Sequence, residues 1–550
     1  MSKLKAIGAR LEEPAYAALR IVSGVAFSFH GMQKMFGWLS TFVPVPGSQV
    51  WFGGIIELVC GLLVAIGLFT RPAAFLASGT MAVAYTQFHW KLAFAAGMWI
   101  PTINKGELAL IYCFLFLFIA AHGGGSASID ARLAKNDEQE GPMTTTSNGG
   151  FSRSRLARMH AIMAGYVERG EVPGIVTLLA RRGEVHVDVM GTKSVATADP
   201  MRRDTIFRIT SMTKPITAVA ALILVEECKL RLDEPVDRLL PELADRKVLK
   251  RIDGPLDDTV PAERAITVRD LLTFRMGFGM IMGPPDGTPI QRAVRDLELS
   301  GIGPPKPASP LGPDEWMRRF GTLPLMAQPG AKWIYNTGSY VLGVLIARAS
   351  GQPLETFLRE RIFEPLGMKD TAFSVPPEKL DRLATSYWAD AKTNTLTVHD
   401  DVANSQWSRP PAFPDGGAGL VSTIDDYLAF GQMMLNKGAI GNGKERVLSR
   451  PSIEAMTTDQ LTAAQKAASG LVPGYFDGIG WGFGVSIVTR RDGVSAIPGR
   501  YGWDGGYGTT WSSDPAEQMV SIMMTQRAGF PLFSGVQLDF WTSAYQAIDD

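Results

Sequence analysis

This sequence of 550 residues has few cysteines and few histidines, and its positive and negative charges are balanced. The three cysteines, Cys60, Cys113 and Cys228, lie far apart in apolar stretches, so they form neither a disulfide framework nor a metal-ligand pattern. Lysine plus arginine and aspartate plus glutamate both number 54, which leaves no basic excess for a nucleic-acid partner. No His-x-x-x-His or His-x-His pair is present to hold zinc. The sequence therefore implies no metal, no cofactor and no nucleic acid.

Long apolar runs, in contrast, dominate the first 123 residues. They lie at residues 17–38, 50–69, 72–90 and 108–121, and each approaches the roughly 20 residues that a helix needs to cross a bilayer. His30 and Lys34 interrupt the first run, so it is not a cleavable signal peptide. The pattern predicts a four-helix transmembrane bundle in a multi-pass membrane protein. A soluble helical bundle with buried polar residues is the alternative.

A polar segment divides the chain after this region. Residues 135–150 read KNDEQEGPMTTTSNGG, with no apolar periodicity, which is typical of a flexible linker. We therefore predict a membrane domain at 1–134 and a second domain at 151–550, since a chain of this length exceeds what one hydrophobic core supports. Met143 within the linker leaves an internal translation start open.

Strand and helix patterns alternate in the second domain. The stretch GIVTLLARRGEVHVDVMG predicts a two-stranded hairpin that turns at Arg182-Gly183. The stretches LETFLRERIFEPLG and IDDYLAFGQMMLNKG predict amphipathic helices that end at Gly367 and Gly438. Strand-like segments at both ends of the domain thus flank a helix-rich middle.

Ser211 and Lys214 form the strongest chemical pattern in the chain. In FRITSMTKPITAVAALILVEE a strand-like segment leads into a polar turn and an apolar helix, and residues three apart on a helix share a face. A serine at a helix N-terminus also lies near free N–H groups and the positive end of the helix dipole, which stabilise negative charge. The spacing predicts a serine nucleophile paired with a lysine. A helix-capping serine beside a solvated lysine is the alternative.

Other serine-hydrolase arrangements find no support in the sequence. It contains no Gly-x-Ser-x-Gly elbow. After residue 150 the histidines are His160, His186 and His399, and none stands in a motif that would make it the base of a Ser-His-Asp triad.

Further segments extend the Ser-x-x-Lys pattern. LMAQPGAKWIYNTGSYVLGVLIARASG places Tyr335 just before a helix, and GRYGWDGGYGTTWSSDP provides a glycine-rich strand. With ITVRDLLTFRMGFG and IFEPLGMKDTAF, these segments resemble, in the right order, the serine β-lactamase and penicillin-binding-protein-like hydrolases, especially their class C and family VIII carboxylesterase branch. The resemblance spans roughly residue 151 to the C-terminus. It implies an α/β (α+β) serine β-lactamase-like fold with an antiparallel sheet and a helical subdomain.

The resemblance also implies roles for individual residues. Ser211 would form an acyl-enzyme, and Lys214 would lower its pKa or take its proton. Tyr335, kept partly phenolate by neighbouring positive charge, would relay the proton to the leaving group and later activate water. The N–H groups of Ser211 and Gly506 would form the oxyanion hole. The implied oxyanion and substrate strand comprises Trp503, Asp504, Gly505 and Gly506. Taken singly, Tyr335 also fits a buried core tyrosine, and the glycine run fits a tight hairpin.

Departures from the family's pattern bear on the substrate. Relatives that hydrolyse β-lactams carry Lys-Thr-Gly where this sequence has Trp503-Asp504-Gly505, and a carboxylate there would repel an anionic substrate. Thr337 stands where many relatives have asparagine, which favours esters over lactams. Residues 274–277, Phe-Arg-Met-Gly, replace the common His-Thr-Ser-Gly in a pocket wall.

The first domain carries a second resemblance. ALRIVSGVAFSFHGMQKMFGW, GGIIELVCGLLVAIGLFTR and INKGELALIYCFLFLF resemble the DoxX family of small four-helix membrane proteins, over about residues 17–130. Ionisable groups at membrane depth are costly unless they pair, and His30 and Lys34 lie one helical turn apart, so Glu57 would neutralise the pair. We predict an internal polar site of these three residues. Snorkelling of Lys34, His89 and Glu107 to the interface is the alternative.

Two functions follow from the combination. The first is a membrane-anchored serine hydrolase, a carboxylesterase that acts on small esters through an acyl-enzyme on Ser211, with β-lactamase or DD-peptidase activity as an alternative. The second is a membrane redox or small-molecule protein with a catalytically weak hydrolase-like binding module. Intact Ser211, Lys214 and Tyr335 favour the first. The predicted partners are a small-molecule ester and the lipid bilayer, and protein partners are left open.

Basic residues predict the orientation in the membrane. Four spans return the chain to its starting side, which would carry Lys3, Lys5, Arg10, Arg71, Arg132 and Lys135. The opposite side would carry Lys91 and Lys105, with Lys34 near it. By the positive-inside rule, we predict that the hydrolase domain lies in the cytoplasm.

Overall fold

A computed structural model describes most of the chain as two compact units, Met1–Met143 and Thr144–Asp550. The described residues are 2–40, 43–94, 97–125, 127–130, 149–284, 286–299, 309–390, 392–393, 395–441, 443–528 and 535–550, with side chains from residue 13 onward. The predicted linker, including Met143, lies outside the described residues as far as residue 148. The side chains of Lys3, Lys5 and Arg10, and residues Arg132 and Lys135, lie outside them too.

The first unit is helical. Its helices are α1 Ser2–Phe36, α2 Gln49–Ile66, α3 Thr70–Ala84, α4 Pro101–Asn104 and α5 Glu107–His122. A π-helical segment, Tyr85–Trp90, continues α3. Helices α1 and α2 approach so closely that a Cβ atom at Gly24 would lie 2.7 Å from the Gly61 carbonyl oxygen. Small residues thus allow the two backbones to pack, as in many membrane helix pairs.

In this unit, two charged side chains are buried and several large apolar side chains are exposed. Arg20 and Glu57 are buried. Large apolar side chains point outward on α3 and α5, where Phe75 is 64%, Ile111 61% and Phe114 62% exposed. Large apolar side chains of these helices are thus exposed, while two charged groups lie inside.

The helices of the first unit differ in whether they are long and apolar enough to cross a membrane. Within the described part of the chain, α2 is the one helix that is both long and apolar enough to cross a bilayer, and α5 is a shorter apolar helix. The structure therefore supports a helical N-terminal region, while the predicted four-span bundle stays a prediction.

The second unit is built on an antiparallel sheet of seven strands in the order β11-β12-β13-β14-β15-β1-β2. The strands of the unit are β1 Gly174–Arg181, β2 Glu184–Gly191, β3 Phe207–Arg208, β4 Lys247–Leu249, β5 Thr259–Pro261, β6 Ser386–Ala389, β7 Leu396–Asp400, β8 Val421–Ser422, β9 Ala439–Ile440, β10 Glu445–Arg446, β11 Ile479–Trp481, β12 Ser486–Val488, β13 Tyr501–Gly505, β14 Thr509–Asp514, β15 Met519–Met524 and β16 Arg527–Ala528. The sheet thus joins the start of the domain to its end.

Helices cover both faces of this sheet and fill the middle of the domain. They are α6 Arg153–Glu168, α7 Thr213–Glu226, α8 Val268–Leu272, α9 Pro289–Asp296, α10 Pro313–Gly321, α11 Thr337–Ser350, α12 Leu354–Leu358, α13 Glu364–Leu366, α14 Ile424–Leu435, α15 Arg450–Met456, α16 Ala463–Ala467 and α17 Gly535–Gln546. Leu179 and Met523 face the core formed with α6 and α17, whereas Leu178 and Ile522 face the main core. Alternate residues of β1 and β15 therefore serve opposite faces.

The local predictions for this domain hold. Strands β1 and β2 form the expected hairpin, and Arg182 and Gly183 both adopt positive φ, as a tight hairpin turn requires. The first amphipathic helix ends at Gly367, which is left-handed. The second, α14, ends just before Gly438. The antiparallel sheet that the family resemblance implies is present.

Candidate active site

Ser211 lies in the turn between β3 and α7. Residues Thr210–Met212 form a single 3-10 turn, and α7 begins at Thr213, so the serine stands at a helix N-terminus. Thr210 has a φ of 41°, a left-handed conformation that costs a non-glycine residue on the order of 1 kcal/mol. Such strain is common where a side chain must be presented for chemistry.

Lys214 adjoins the serine, as its spacing predicts. Its Nζ lies 2.9 Å from Ser211 Oγ and donates a 2.6 Å hydrogen bond to the Gly417 carbonyl. Burial lowers the pKa of Lys214 to about 7, against the opposing effect of the Asp415 carboxylate. Burial thus favours the neutral amine, which is the form that takes a proton.

Asp415 and Gly417 are site residues that the sequence reasoning missed. They belong to the PDGGAG segment just before β8. The Asp415 Oδ1 accepts hydrogen bonds from the N–H groups of Gly417, at 2.6 Å, and Ala418, at 3.2 Å. Burial raises the pKa of Asp415. The Asp415 carboxylate thus holds the loop whose Gly417 carbonyl accepts the hydrogen bond from Lys214. In the sequence, the one sign of these residues was a glycine-rich run after a single carboxylate.

Tyr335 completes the group around the serine. Its ring lies under Lys214, with Nζ 4.8 Å from the ring centroid, and its hydroxyl accepts a 3.0 Å hydrogen bond from Trp503 Nε1. Burial raises the pKa of the phenol, although hydrogen bonds with Ser211 and Trp503 oppose the rise. Burial therefore favours the neutral phenol over the predicted partial phenolate, because desolvation destabilises the charged form.

Strand β13 runs beside the serine turn. A Cβ atom at Gly505 would lie 2.4 Å from the Ile209 carbonyl oxygen and 2.7 Å from Thr210 Oγ1, so only glycine allows this approach. Thr509, which pairs with Gly505, donates through Oγ1 to the same carbonyl at 3.3 Å. Gly506, the next residue, is exposed at the end of the strand. The geometry brings the predicted oxyanion strand and the serine turn together.

Asp504 points its carboxylate into the protein. Thr510 donates a hydrogen bond to Oδ1, and burial raises the pKa of Asp504. The structure also shows the position of Thr337, the second departure from the family's pattern. Thr337 begins α11, and the preceding Asn336 donates to the Tyr340 hydroxyl at 2.6 Å, so its amide is used within the protein.

An aromatic cluster surrounds Tyr335. Its members are Phe274, Trp333, Tyr335, Tyr475, Phe476, Trp481 and Trp503. Phe274 meets the Tyr335 ring edge-on at 5.5 Å, Trp333 stacks on it at 5.6 Å, and Trp503 lies at 5.6 Å. Phe274, one of the family departures, is thus a buried ring that packs against Tyr335.

A second group of buried side chains packs around β3 and the glycine turn that follows β13. Arg208 of β3 pairs with Asp400 and stacks over Trp407, at 5.3 Å. Tyr507, next after Gly506, packs edge-on against the same tryptophan at 6.0 Å, and its hydroxyl lies 3.1 Å from His399 Nε2. His399 is therefore placed to support the glycine turn, which agrees with the absence of a triad motif around it.

The predicted polar site of the first unit is assembled in part. Lys34 Nζ lies 2.6 Å from Glu57 Oε1, with the Glu57 side chain only 3% exposed. His30 instead meets the Tyr112 ring edge-on at 6.4 Å. Lys34 thus pairs with Glu57 as predicted, whereas His30 contacts the ring of Tyr112 on α5.

Comparisons with known proteins agree with this geometry. A β-lactamase family model matches residues 159–540, and a DoxX family model matches residues 15–90. An uncharacterised protein of Mycobacterium tuberculosis is 38% identical over 367 residues, which cover 65% of this chain and 87% of that protein. Esterase EstB of Burkholderia gladioli is 30% identical over 402 residues, which cover 68% of this chain and 91% of EstB.

A solved structure extends the likeness to the fold. EstCE1, described as a hydrolase with promiscuous acyltransferase activity, aligns with a TM-score of 0.58 and 24% sequence identity, over 71% of this chain and 99% of EstCE1. The family model covers most of the chain, and its match includes Ser211, Lys214 and Tyr335. This chain belongs to the β-lactamase family of serine hydrolases, and a DoxX domain precedes its hydrolase domain.

Proposed function

We propose that this chain is a membrane-anchored carboxylesterase that acts on small esters through an acyl-enzyme on Ser211. The observation that carries the proposal is the 2.9 Å hydrogen bond between Lys214 Nζ and Ser211 Oγ, in surroundings where burial lowers the pKa of the lysine. A neutral amine at that distance is a suitable general base for the hydroxyl. The 30% identity to esterase EstB supports an ester as substrate.

The reaction begins when Ser211 Oγ attacks the ester carbonyl carbon and its proton passes to Lys214 Nζ. The N–H groups of Ser211 and Gly506 receive the negative oxygen of the tetrahedral intermediate. The neutral Tyr335 phenol gives its proton to the departing alkoxide and regains one from Lys214. Water then attacks the acyl carbon and gives a proton to Lys214 Nζ; the bond between that carbon and Ser211 Oγ breaks, the serine oxygen takes the proton back, and the carboxylic acid leaves. Ser211 is hydrogen-bonded to both Lys214 and Tyr335, so the serine links the two side chains that carry the proton.

Esters are favoured over β-lactams by the charge of the site. Asp504 occupies the position where β-lactam-hydrolysing relatives bind the substrate carboxylate, and Thr510 holds its own carboxyl group. An anionic β-lactam or peptide would therefore meet no matching cation there. β-Lactamase or DD-peptidase activity is accordingly the weaker candidate. The intact serine, lysine and tyrosine likewise argue against a catalytically weak binding module.

The first unit is proposed to anchor the enzyme by four spans, α1, α2, α3 with its π-helical continuation, and α5. The DoxX match, the apolar α2 and the outward-facing apolar side chains of α3 and α5 support this. The ion pair of Lys34 with the buried Glu57 fits a membrane interior, where an unpaired charge is costly. The excess of basic residues on the N-terminal side supports a cytoplasmic hydrolase domain.

A fluorophosphonate probe tests the proposal without knowledge of the natural ester. We expect covalent labelling of the full-length protein in detergent and hydrolysis of p-nitrophenyl acetate, with both lost in Ser211→Ala. The matched control is Ser543→Ala, because Ser543 is a buried serine on α17 within the same domain. Labelling that survives in Ser211→Ala, or is lost equally in Ser543→Ala, would remove the assignment.

A further inference from the structure

Helix α7 contacts the loop behind Lys214 through a second polar side chain. Thr217 lies one helical turn after Lys214, on the same face of the helix, and is fully buried. Its Oγ1 donates a 2.7 Å hydrogen bond to the Gly416 carbonyl. Lys214 Nζ donates to the next carbonyl, that of Gly417, at 2.6 Å. Two consecutive carbonyl oxygens of the loop therefore accept hydrogen bonds from one face of α7.

The Thr217 hydroxyl has two acceptors within reach. The Thr213 carbonyl, one turn back in the helix, lies 3.2 Å from Oγ1, whereas the Gly416 carbonyl lies 2.7 Å from it. A threonine hydroxyl has a single proton, and the shorter distance indicates that the proton is shared with the loop. Among the residues that the structure describes, Thr217 is the one donor to the buried Gly416 carbonyl. Removing the hydroxyl would leave that carbonyl without its hydrogen bond.

The loop is also packed closely from the other side. A Cβ atom at Gly416 would lie 3.1 Å from Thr217 Cγ2 and 2.8 Å from the Ser339 carbonyl oxygen of α11. A Cβ atom at Gly417 would lie 2.4 Å from the Tyr340 ring, which also belongs to α11. The loop thus lies tightly between α7 and α11, and its position depends on the contacts that both helices make with it.

The Gly417 carbonyl determines how Lys214 meets Ser211. A neutral amine has two N–H groups and one lone pair. When one N–H donates to the Gly417 carbonyl, Nζ is held 2.9 Å from Ser211 Oγ, and its lone pair is free to accept the serine proton. If the carbonyl moves, the amine loses this orientation. Catalysis is sensitive to such placement, since a shift of about 1 Å costs about a hundredfold in rate.

We propose that Thr217 is a positioning residue for the hydrolysis: its hydroxyl fixes the loop at Gly416 and, through the Gly417 carbonyl, orients the Lys214 amine towards Ser211. The inference rests on the proposed esterase function. Thr217 touches neither Ser211 nor the ester, and it acts through the loop alone. The hydroxyl is therefore needed, while the exact shape of the side chain is not.

Thr217 carries no charge, so its effect on the protonation of Lys214 is indirect. The ionisable groups that act on the amine, or on its neighbours, come from the loop, the segment before α11, α11 itself and β13; they are Asp415, Tyr335, Tyr340 and Asp504. A carbonyl acceptor stabilises the protonated lysine more than the neutral amine. Loss of the Gly417 contact should therefore lower the pKa of Lys214 and move the rise of kcat/KM to lower pH.

The test compares Thr217→Val with Thr217→Ser in the full-length protein in detergent. Valine keeps the shape of the side chain and removes the hydroxyl, whereas serine keeps the hydroxyl. The kcat/KM for p-nitrophenyl acetate is measured against pH and divided by the amount of serine that a fluorophosphonate labels at completion. We expect Thr217→Val to lower the plateau by about tenfold to a hundredfold and to move the midpoint to lower pH, and Thr217→Ser to stay within about threefold of wild type with the same midpoint.

The matched control is Thr371→Val, which removes another buried hydroxyl that joins two segments, 2.8 Å from Asp426 Oδ2. It should change neither the plateau nor the midpoint. If Thr217→Val is not recovered as folded protein, Thr217→Ala removes the same hydroxyl and takes its place. Equal losses in the serine and valine variants, an unchanged plateau in Thr217→Val, or a midpoint that stays or rises would overturn the positioning role. A wild type that hydrolyses the ester and is labelled at Ser211 keeps the esterase in each of those cases, whereas an unlabelled wild type removes the esterase itself.

Discussion

Lys214 Nζ donates a 2.6 Å hydrogen bond to the carbonyl oxygen of Gly417, 203 residues further along the chain. The loop that carries this carbonyl is shaped by Asp415, whose carboxylate also raises the lysine pKa against the larger lowering by burial. The serine and lysine are close in sequence, but their chemical setting is completed by this distant loop.

The rate of ester hydrolysis should follow the protonation of Lys214. Because the neutral amine is the base, kcat/KM is expected to rise with pH and level off above a midpoint of about 7. Removing the Asp415 charge destabilises the protonated lysine, so Asp415→Asn should move the rise to lower pH. Asp188→Asn, at a pair with the exposed His160, is the control and should not move it. A rise that moves to higher pH would contradict the assigned base.

The Tyr335 hydroxyl should matter more than its ring. Tyr335→Phe keeps the stacking with Trp333 and Phe274 but removes the proton relay, so kcat is expected to fall by about two orders of magnitude or more. Lys214→Ala should cause a loss of the same order, because the groups act as one unit. Tyr340→Phe, which removes a hydroxyl bonded to Asn336, should change kcat little. Losses of less than tenfold in the first two variants would point to a different proton path.

β-Lactams should be poor substrates. Relative to p-nitrophenyl acetate, penicillins and cephalosporins are expected to have kcat/KM values lower by about two orders of magnitude, since a site without a matching charge leaves the anion unpaired. Because Thr510 holds the Asp504 carboxylate inside the protein, Asp504→Asn supplies no cation for the substrate and should leave this gap largely unchanged. A cephalosporin that is hydrolysed as efficiently as the acetate ester would refute the interpretation of Asp504.

The approach of β13 to the serine turn should tolerate no side chain. Gly505→Ala would place a Cβ atom 2.2 Å from Thr509 Oγ1 and 2.4 Å from the Ile209 carbonyl, which forces the strand away from the turn. We expect fluorophosphonate labelling to be lost while circular dichroism stays close to that of the wild type. Gly312→Ala, where no atom lies within 4 Å, is the control and should label normally. Full labelling of the first variant would show that the oxyanion strand lies elsewhere.

The hydrolase domain should lie on the cytoplasmic side. A green fluorescent reporter fused after Asp550 is expected to fluoresce in bacterial cells, whereas alkaline phosphatase at the same position should be inactive, because it requires export. The prediction rests on the basic residues of the N-terminal side. Active phosphatase without fluorescence would reverse the orientation.

Local patterns in the sequence determined much of this protein. The apolar runs predicted the long helices of the first unit, and the alternation around Arg182-Gly183 predicted the β1–β2 hairpin. The Ser211 to Lys214 spacing predicted a contact that one helical turn enforces. These features succeed because backbone periodicity and turn chemistry act over a few residues. The family resemblance supplied the order of the remaining motifs.

The tertiary structure alone decided the rest, because burial and long-range contacts set the chemistry. A glycine-rich run after a single carboxylate was the one local sign of Asp415, and its role depends on a loop that reaches Lys214 across 203 residues. The Tyr335 phenol was expected to be partly ionised, but its aromatic surroundings remove water and raise its pKa. Rings distant in sequence, such as Phe274, Tyr475 and Trp503, become one cluster only when the chain is folded. Desolvation depends on that packing, and sequence spacing does not encode it.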